Sequence, residues 1–126
     1  MKDLVCPYCG AELNIENSNI VYKNRKRGNK VLICSNFPEC KTWVNCDEHD
    51  KPLGTVANGK LRFLRQKAHE SLNELLKTGA VKRRNIYKMI SKEFHINMSE
   101  CHIGMFDESM CRNVIEFSNR LTKELR

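Results

Sequence analysis

Apolar positions change period near residue 58. From there Leu61, Leu64, Ala68, Leu72 and Leu75 recur every three or four residues, the spacing that lays one apolar stripe along a helix. Asn58 stands where an N-cap belongs and Gly79 where a left-handed C-terminal stop belongs. A second helix is predicted over residues 82–94, with Ile86, Ile90 and Phe94 four apart. Ser99 and Asp107 are candidate caps, the latter opening a last helix through Cys111, Val114, Ile115 and Leu121. Before residue 52 the pattern is that of short strands. Residues 20–23 and 30–33 are β-rich and flank 24–29, where Gly28 and Asn29 suit a hairpin turn. A third strand is predicted at 42–44, and 51–59 reads as a connector. The expected fold class is α+β: an antiparallel β module over residues 1–52, then a domain of three or four helices over 53–126.

Charge sharpens this division. The 126 residues carry 22 Lys and Arg against 15 Asp and Glu, for a net +7 and a pI near 9.1. The excess sits in two zones. Residues 20–38 hold Lys23, Arg25, Lys26, Arg27 and Lys30 with no acid, and 60–92 hold ten bases against Glu70 and Glu74. A basic chain of this kind points first to nucleic acid. The longest apolar run before a cysteine, Val31 to Ile33, is far too short to span a bilayer. No apolar signal segment follows Met1, so a cytoplasmic chain without a membrane role is expected.

Seven cysteines cannot all pair internally, and in a reducing compartment close-set cysteines more often hold metal than each other. Cys6-Pro-Tyr-Cys9-Gly is a C-x2-C knuckle, with Gly10 free of the Cβ that would crowd the turn. Cys34-Ser-Asn-Phe-Pro-Glu-Cys40 is a C-x5-C pair that the intervening hairpin returns to the first. Two such pairs suit one tetrahedral zinc ion, with turn amides donating to the thiolates. Cys46 and His49 form a spare pair, which could replace a ligand, hold a second weak metal or pack beside Trp43; the spare reading is preferred because four cysteines already complete the shell.

Cys6-Pro-Tyr-Cys-Gly-Ala-Glu-Leu followed by Leu32-Ile-Cys-Ser-Asn-Phe-Pro-Glu-Cys-Lys resembles the C-terminal zinc ribbons of type IA topoisomerases over about residues 4–44. The resemblance implies Cys6, Cys9, Cys34 and Cys40 as ligands of one structural zinc, and contact with single-stranded DNA. The catalytic tyrosine domain of those enzymes has no counterpart here, and the hairpin is longer and more basic. Over its whole length the chain also resembles a group of phage and bacterial zinc-finger-containing domains of unknown function. The matching stretches are the Cys6/Cys9 knuckle, Lys51-Pro-Leu-Gly-Thr-Val-Ala, Leu61-Arg-x-x-Arg-x-x-Ala-His69 and Cys101-His-Ile-Gly-Met-Phe-Asp107. That resemblance implies the architecture and a bacterial or phage setting.

Cys101, His102, Asp107 and Cys111 lie close in sequence, and His69 sits at the apolar edge of the first helix. A small metal-dependent nuclease would use such histidines and an aspartate to grip a hydrolytic ion. The structural alternative makes Asp107 an N-cap, His102 a partner of a helix end, and the two cysteines core. No H-E-x-x-H, P-loop or paired acidic cluster accompanies them, so the structural alternative is preferred and no enzyme is expected.

The basic zones then carry the functional expectation. The hairpin bases Lys23, Arg25, Lys26, Arg27 and Lys30 suit phosphates, and Tyr8, Tyr22, Phe37 and Trp43 interleave aromatic rings on which unpaired bases stack. Phe37 is the ring expected to be exposed, with Trp43 or Tyr22 buried. Arg62 and Arg65 are placed together on the face of the first helix away from Leu61 and Leu64. Lys82, Arg83 and Arg84 crowd the start of the next helix, where cations oppose the helix dipole. The expected protein is a non-enzymatic zinc ribbon that binds nucleic acid, single-stranded DNA first. An adaptor or inhibitor binding a host protein through the helical half is the alternative.

Overall fold

The computed structural model describes residues 5–22 and 30–125. Contacts divide the chain into two compact units, Met1–Lys60 and Leu61–Arg126.

The first unit is a three-stranded antiparallel sheet in the order β1 (Leu13–Asn17), β2 (Lys30–Cys34), β3 (Trp43–Asn45). β2 is central, and Val31, Leu32, Ile33 and Cys34 are all buried, which is why the strand reads as a continuous apolar run rather than an alternation. Leu32 packs with Cys46 and Val56, and with Leu13 and Val44 beside them.

The partner of β2 differs from expectation. Leu13 pairs with Cys34 and Asn17 with Lys30, so the strand lies at 13–17 rather than 20–23. The Asn17 side chain accepts from the Asn19 amide at 2.8 Å and ends the strand. The chain then turns through a short 3-10 helix at Ser18–Ile20, closed by the Val21 and Tyr22 amides on the Ser18 carbonyl. Ile20, expected to begin a strand, is exposed. The expected turn at 24–29 lies outside the described residues.

The segment 51–59 is not a free connector. Ala57 and Trp43 exchange both backbone hydrogen bonds, at 3.2 and 3.1 Å, and Val56 and Ala57 are buried against the sheet.

The helical unit is built on α1 (Gly59–Lys77), α2 (Arg83–Phe94) and α3 (Glu108–Leu125), with single 3-10 turns at Met98–Glu100 and Ile103–Met105. Leu61, Ala68, Leu72 and Leu75 of α1, Ile86 and Ile90 of α2, and Cys111, Val114 and Phe117 of α3 are buried. Gly79 takes φ +77°, the left-handed conformation that stops α1 without a Cβ clash. Asp107 caps α3: its Oδ1 accepts from the Met110 amide at 2.8 Å. Ser99, offered as a cap, sits inside the 3-10 turn Met98–Glu100. The fold is thus α+β, a small antiparallel sheet followed by three helices. Among the described residues no helix is long and apolar enough to cross a membrane.

Candidate metal centre and nucleic-acid interface

Two turns bring four sulfurs together. At the knuckle, the Gly10 amide donates to the Cys6 carbonyl at 2.8 Å and the Cys6 amide to the Ala11 carbonyl at 2.7 Å. Gly10 takes φ +82°, a conformation that side-chain-bearing residues adopt at a cost. At the second loop, the Phe37 amide donates to the Cys34 carbonyl and the Cys40 amide to the Asn36 carbonyl, both at 3.0 Å. β2 fixes Cys34 in the core, and the sheet sets one loop against the other.

The sulfurs of Cys6, Cys9, Cys34 and Cys40 all lie within 4.8 Å of one another. Cys6 and Cys40 are 3.8 Å apart, and Cys9 and Cys34 are 3.4 Å apart. A tetrahedron with the usual zinc–sulfur bond has an edge of about 3.8 Å, so these positions fit one zinc ion with four thiolates.

Two polar side chains support the cluster from behind. The buried Thr42 hydroxyl lies 3.2 Å from Cys6 Sγ and 3.6 Å from Cys40 Sγ, and donates to whichever carries charge. Asn36 donates its backbone amide to Cys34 Sγ at 3.4 Å and its side-chain amide to Cys9 Sγ at 3.6 Å. Neither was singled out from sequence. The signal available was a hydroxyl residue two positions past the last ligand and an amide within the C-x5-C loop.

The thiols divide in acidity. Burial opposes ionisation of Cys6, but the Thr42 hydroxyl and the Tyr8 and Cys9 amides outweigh it and bring the thiol down to about 6. The Ala11 amide, then Cys34, lowers Cys9. Burial pushes Cys34 up to about 12, the adjacent thiols adding to it and the Asn36 amide working against it. At Cys40 the Thr42 hydroxyl favours the thiolate, yet burial and neighbouring thiols raise the group overall. Sulfurs this close cannot all ionise beside one another without a cation between them, which is the chemistry of a metal site.

Cys46 is fully buried in the sheet's core, and burial raises its thiol. His49 is largely exposed and stands 3.6 Å from Glu48. Neither joins the four-sulfur cluster. His69, His102, Asp107, Cys101 and Cys111 are not drawn into a second one: among the described residues the four-cysteine group is the sole cluster of three or more metal-ligating side chains. Cys101 Sγ donates to the Tyr87 carbonyl at 3.3 Å, Asp107 caps α3, and Cys111 is buried.

The basic residues fare unevenly. Lys23, Arg25, Lys26 and Arg27 lie outside the described residues. Lys30 opens β2, exposed and 3.8 Å from Asp50, an acid the sequence reading did not place near it. Arg62 is half-buried. Arg65 corrects the expectation of an outward face: it is 8% exposed, and its Nε donates to the Phe106 carbonyl at 3.1 Å. Position 65 follows Leu61 by four and precedes Ala68 by three, so it shares their stripe. Lys82, Arg83 and Arg84 are all exposed at the start of α2, whose first turn has no acid. Burial lowers the His69 imidazole, and the Arg83 charge lowers it further.

Among the rings, Phe37 is half-buried rather than exposed, set edge-on to Trp43 at 6.0 Å and 81°. Trp43 and Tyr22 are also half-buried, and the Tyr22 hydroxyl donates to Asn45 at 3.1 Å. Tyr8, inside the knuckle, is the exposed ring of the ribbon.

No curated protein and no solved structure matches the chain. A family model does, that of a zinc-finger-containing domain, over residues 2–121. With four cysteines set for one zinc ion and that match over nearly its whole length, the chain belongs to the family of zinc-finger-containing domains.

Proposed function

We propose that this zinc-finger domain binds nucleic acid, single-stranded DNA in the first instance, without catalysing a reaction on it. The observation that carries the reading is the exposed Lys82-Arg83-Arg84 at the start of α2. Three cations there oppose the helix dipole and repel one another, a placement that an anion offsets. The net charge of +7 supports the same class of ligand. The likeness of the knuckle and C-x5-C loop to topoisomerase ribbons supports unpaired DNA, as does the exposed Tyr8 beside the metal centre. Zinc acts by holding the two loops together: a four-thiolate shell leaves no coordination position for a water molecule. Four cysteines set for zinc, with Cys46, Cys101 and Cys111 outside any disulfide, suit a reducing compartment such as the bacterial cytoplasm.

Replacing Lys82, Arg83 and Arg84 together with Ser tests the reading. If each neutralises one phosphate, the slope of log K against log salt for a single strand flattens by about 2. Zinc content and helicity should not change. An unaltered slope removes these residues from the interface.

A second reading is favoured by an open trough of about 660 Å³ on α3, floored by Ile115 and rimmed by Arg112, Arg120 and Lys123, with Glu116 among them. An adaptor or inhibitor would hold an acidic protein segment there. A stoichiometric acidic protein that stays bound after a nuclease and high-salt wash supports it over the first.

A further inference from the structure

Phe63 is 57% exposed, the most exposed large apolar side chain among the described residues. It stands off the stripe of Leu61, Arg65, Ala68 and Leu72 that buries α1, so helix geometry and not a packing defect turns it to solvent. One turn on, the Lys67 ammonium lies 5.4 Å from the ring centroid. The first eleven residues of α1 contain Lys60, Arg62, Arg65 and Lys67 and no acid. Arg65 is turned inward on Phe106 and Arg62 is half-buried, so Lys67 is the cation set against the ring. Glu70, the first acid along the helix, meets Lys67 at 3.4 Å in a solvent-exposed pair of the kind that yields readily to a stronger anion.

An exposed ring with a cation against it matches a partner that is flat and anionic at once. A wholly apolar partner would strand the charges, and a simple anion would have no use for the ring. We infer that Phe63 is a stacking platform for an unpaired base, with Lys67 taking an adjoining phosphate. The inference rests on the nucleic-acid reading and adds to it a specific contact that discriminates single strands from duplex. Paired bases are already stacked and offer the ring no face.

The test uses the full-length, zinc-loaded chain with an oligothymidylate of about 20 nucleotides and a duplex of the same length, by fluorescence anisotropy across a salt series. Phe63→Leu keeps an apolar side chain and loses the π-face. It should weaken single-strand binding about ten-fold or more, leave the salt slope unchanged and affect duplex little. Phe63→Trp should bind at least as tightly as the unmodified chain. With 5-iodouracil in the oligonucleotide, ultraviolet crosslinking should mark the peptide that carries Phe63. If Phe63→Leu binds single strands as the unmodified chain does, or loses single strand and duplex alike, the platform is overturned while the nucleic-acid reading stands. An unmodified chain that binds neither probe overturns both.

Discussion

Arg65 shows how a helix decides the use of a charged side chain. Its guanidinium is taken out of water, and the Phe106 carbonyl provides compensation that a surface arginine does not need. Arg65→Met keeps much of the bulk and leaves that carbonyl without its donor. The expected cost is about 1.5–3 kcal/mol of stability, read as a lower urea midpoint with zinc content unchanged. A variant as stable as the original, with weakened nucleic-acid binding, would return Arg65 to the surface. Position 65 falls on the stripe set by Leu61 and Ala68, but the expectation followed its charge and set it outward, and the period decided against it. Phe63 is the converse case, an aromatic residue off the stripe, and its exposure followed from the same period. Phe37 was not legible in this way. Its half-burial comes from Trp43, brought alongside by the sheet pairing, which loop sequence alone does not encode.

Among elements, the helices were readable and the first strand was not. α1, α2 and α3 carry the apolar period, a glycine stop and an aspartate cap, each a local signal. β1 has the sequence Leu-Asn-Ile-Glu-Asn, mostly exposed, and owes its place to backbone pairing with the apolar β2. An edge strand of that kind needs no β-branched run of its own. The four-cysteine cluster was legible from spacing, whereas Thr42 and Asn36 needed the fold to bring them to the sulfurs. The ribbon also separates ligand from core cysteine. Cys9→Ser removes one of four thiolates and should lose zinc and melt the sheet, since metal binding and folding are coupled. Cys46→Ser places a hydroxyl in the core beside Leu32 and Val56; it should lower stability yet retain one zinc per chain. Metal analysis of the two purified variants decides this, and equal loss from both would break the ligand assignment.

At the scale of the whole molecule, a sheet with a four-cysteine site and a helical unit share one chain with an excess of seven positive charges. The switch of period near residue 58 announced the two kinds of structure. The packing of Val56 and Ala57 onto the sheet was hidden, because a short stretch with Pro and Gly looks the same whether it pairs or spans. Two basic zones separated along the sequence also gave no indication of which cations a fold would bury. The function proposed for this zinc-finger domain is to take unpaired nucleic acid. It is tested most directly by the affinity of the zinc-loaded chain for a single strand and for a duplex of matching sequence, across a salt series. The single strand should bind more tightly, with log K for both falling linearly as log salt rises. A chain carrying one zinc that binds neither strand nor duplex at about 50 mM salt, where phosphate contacts are strong, would contradict it.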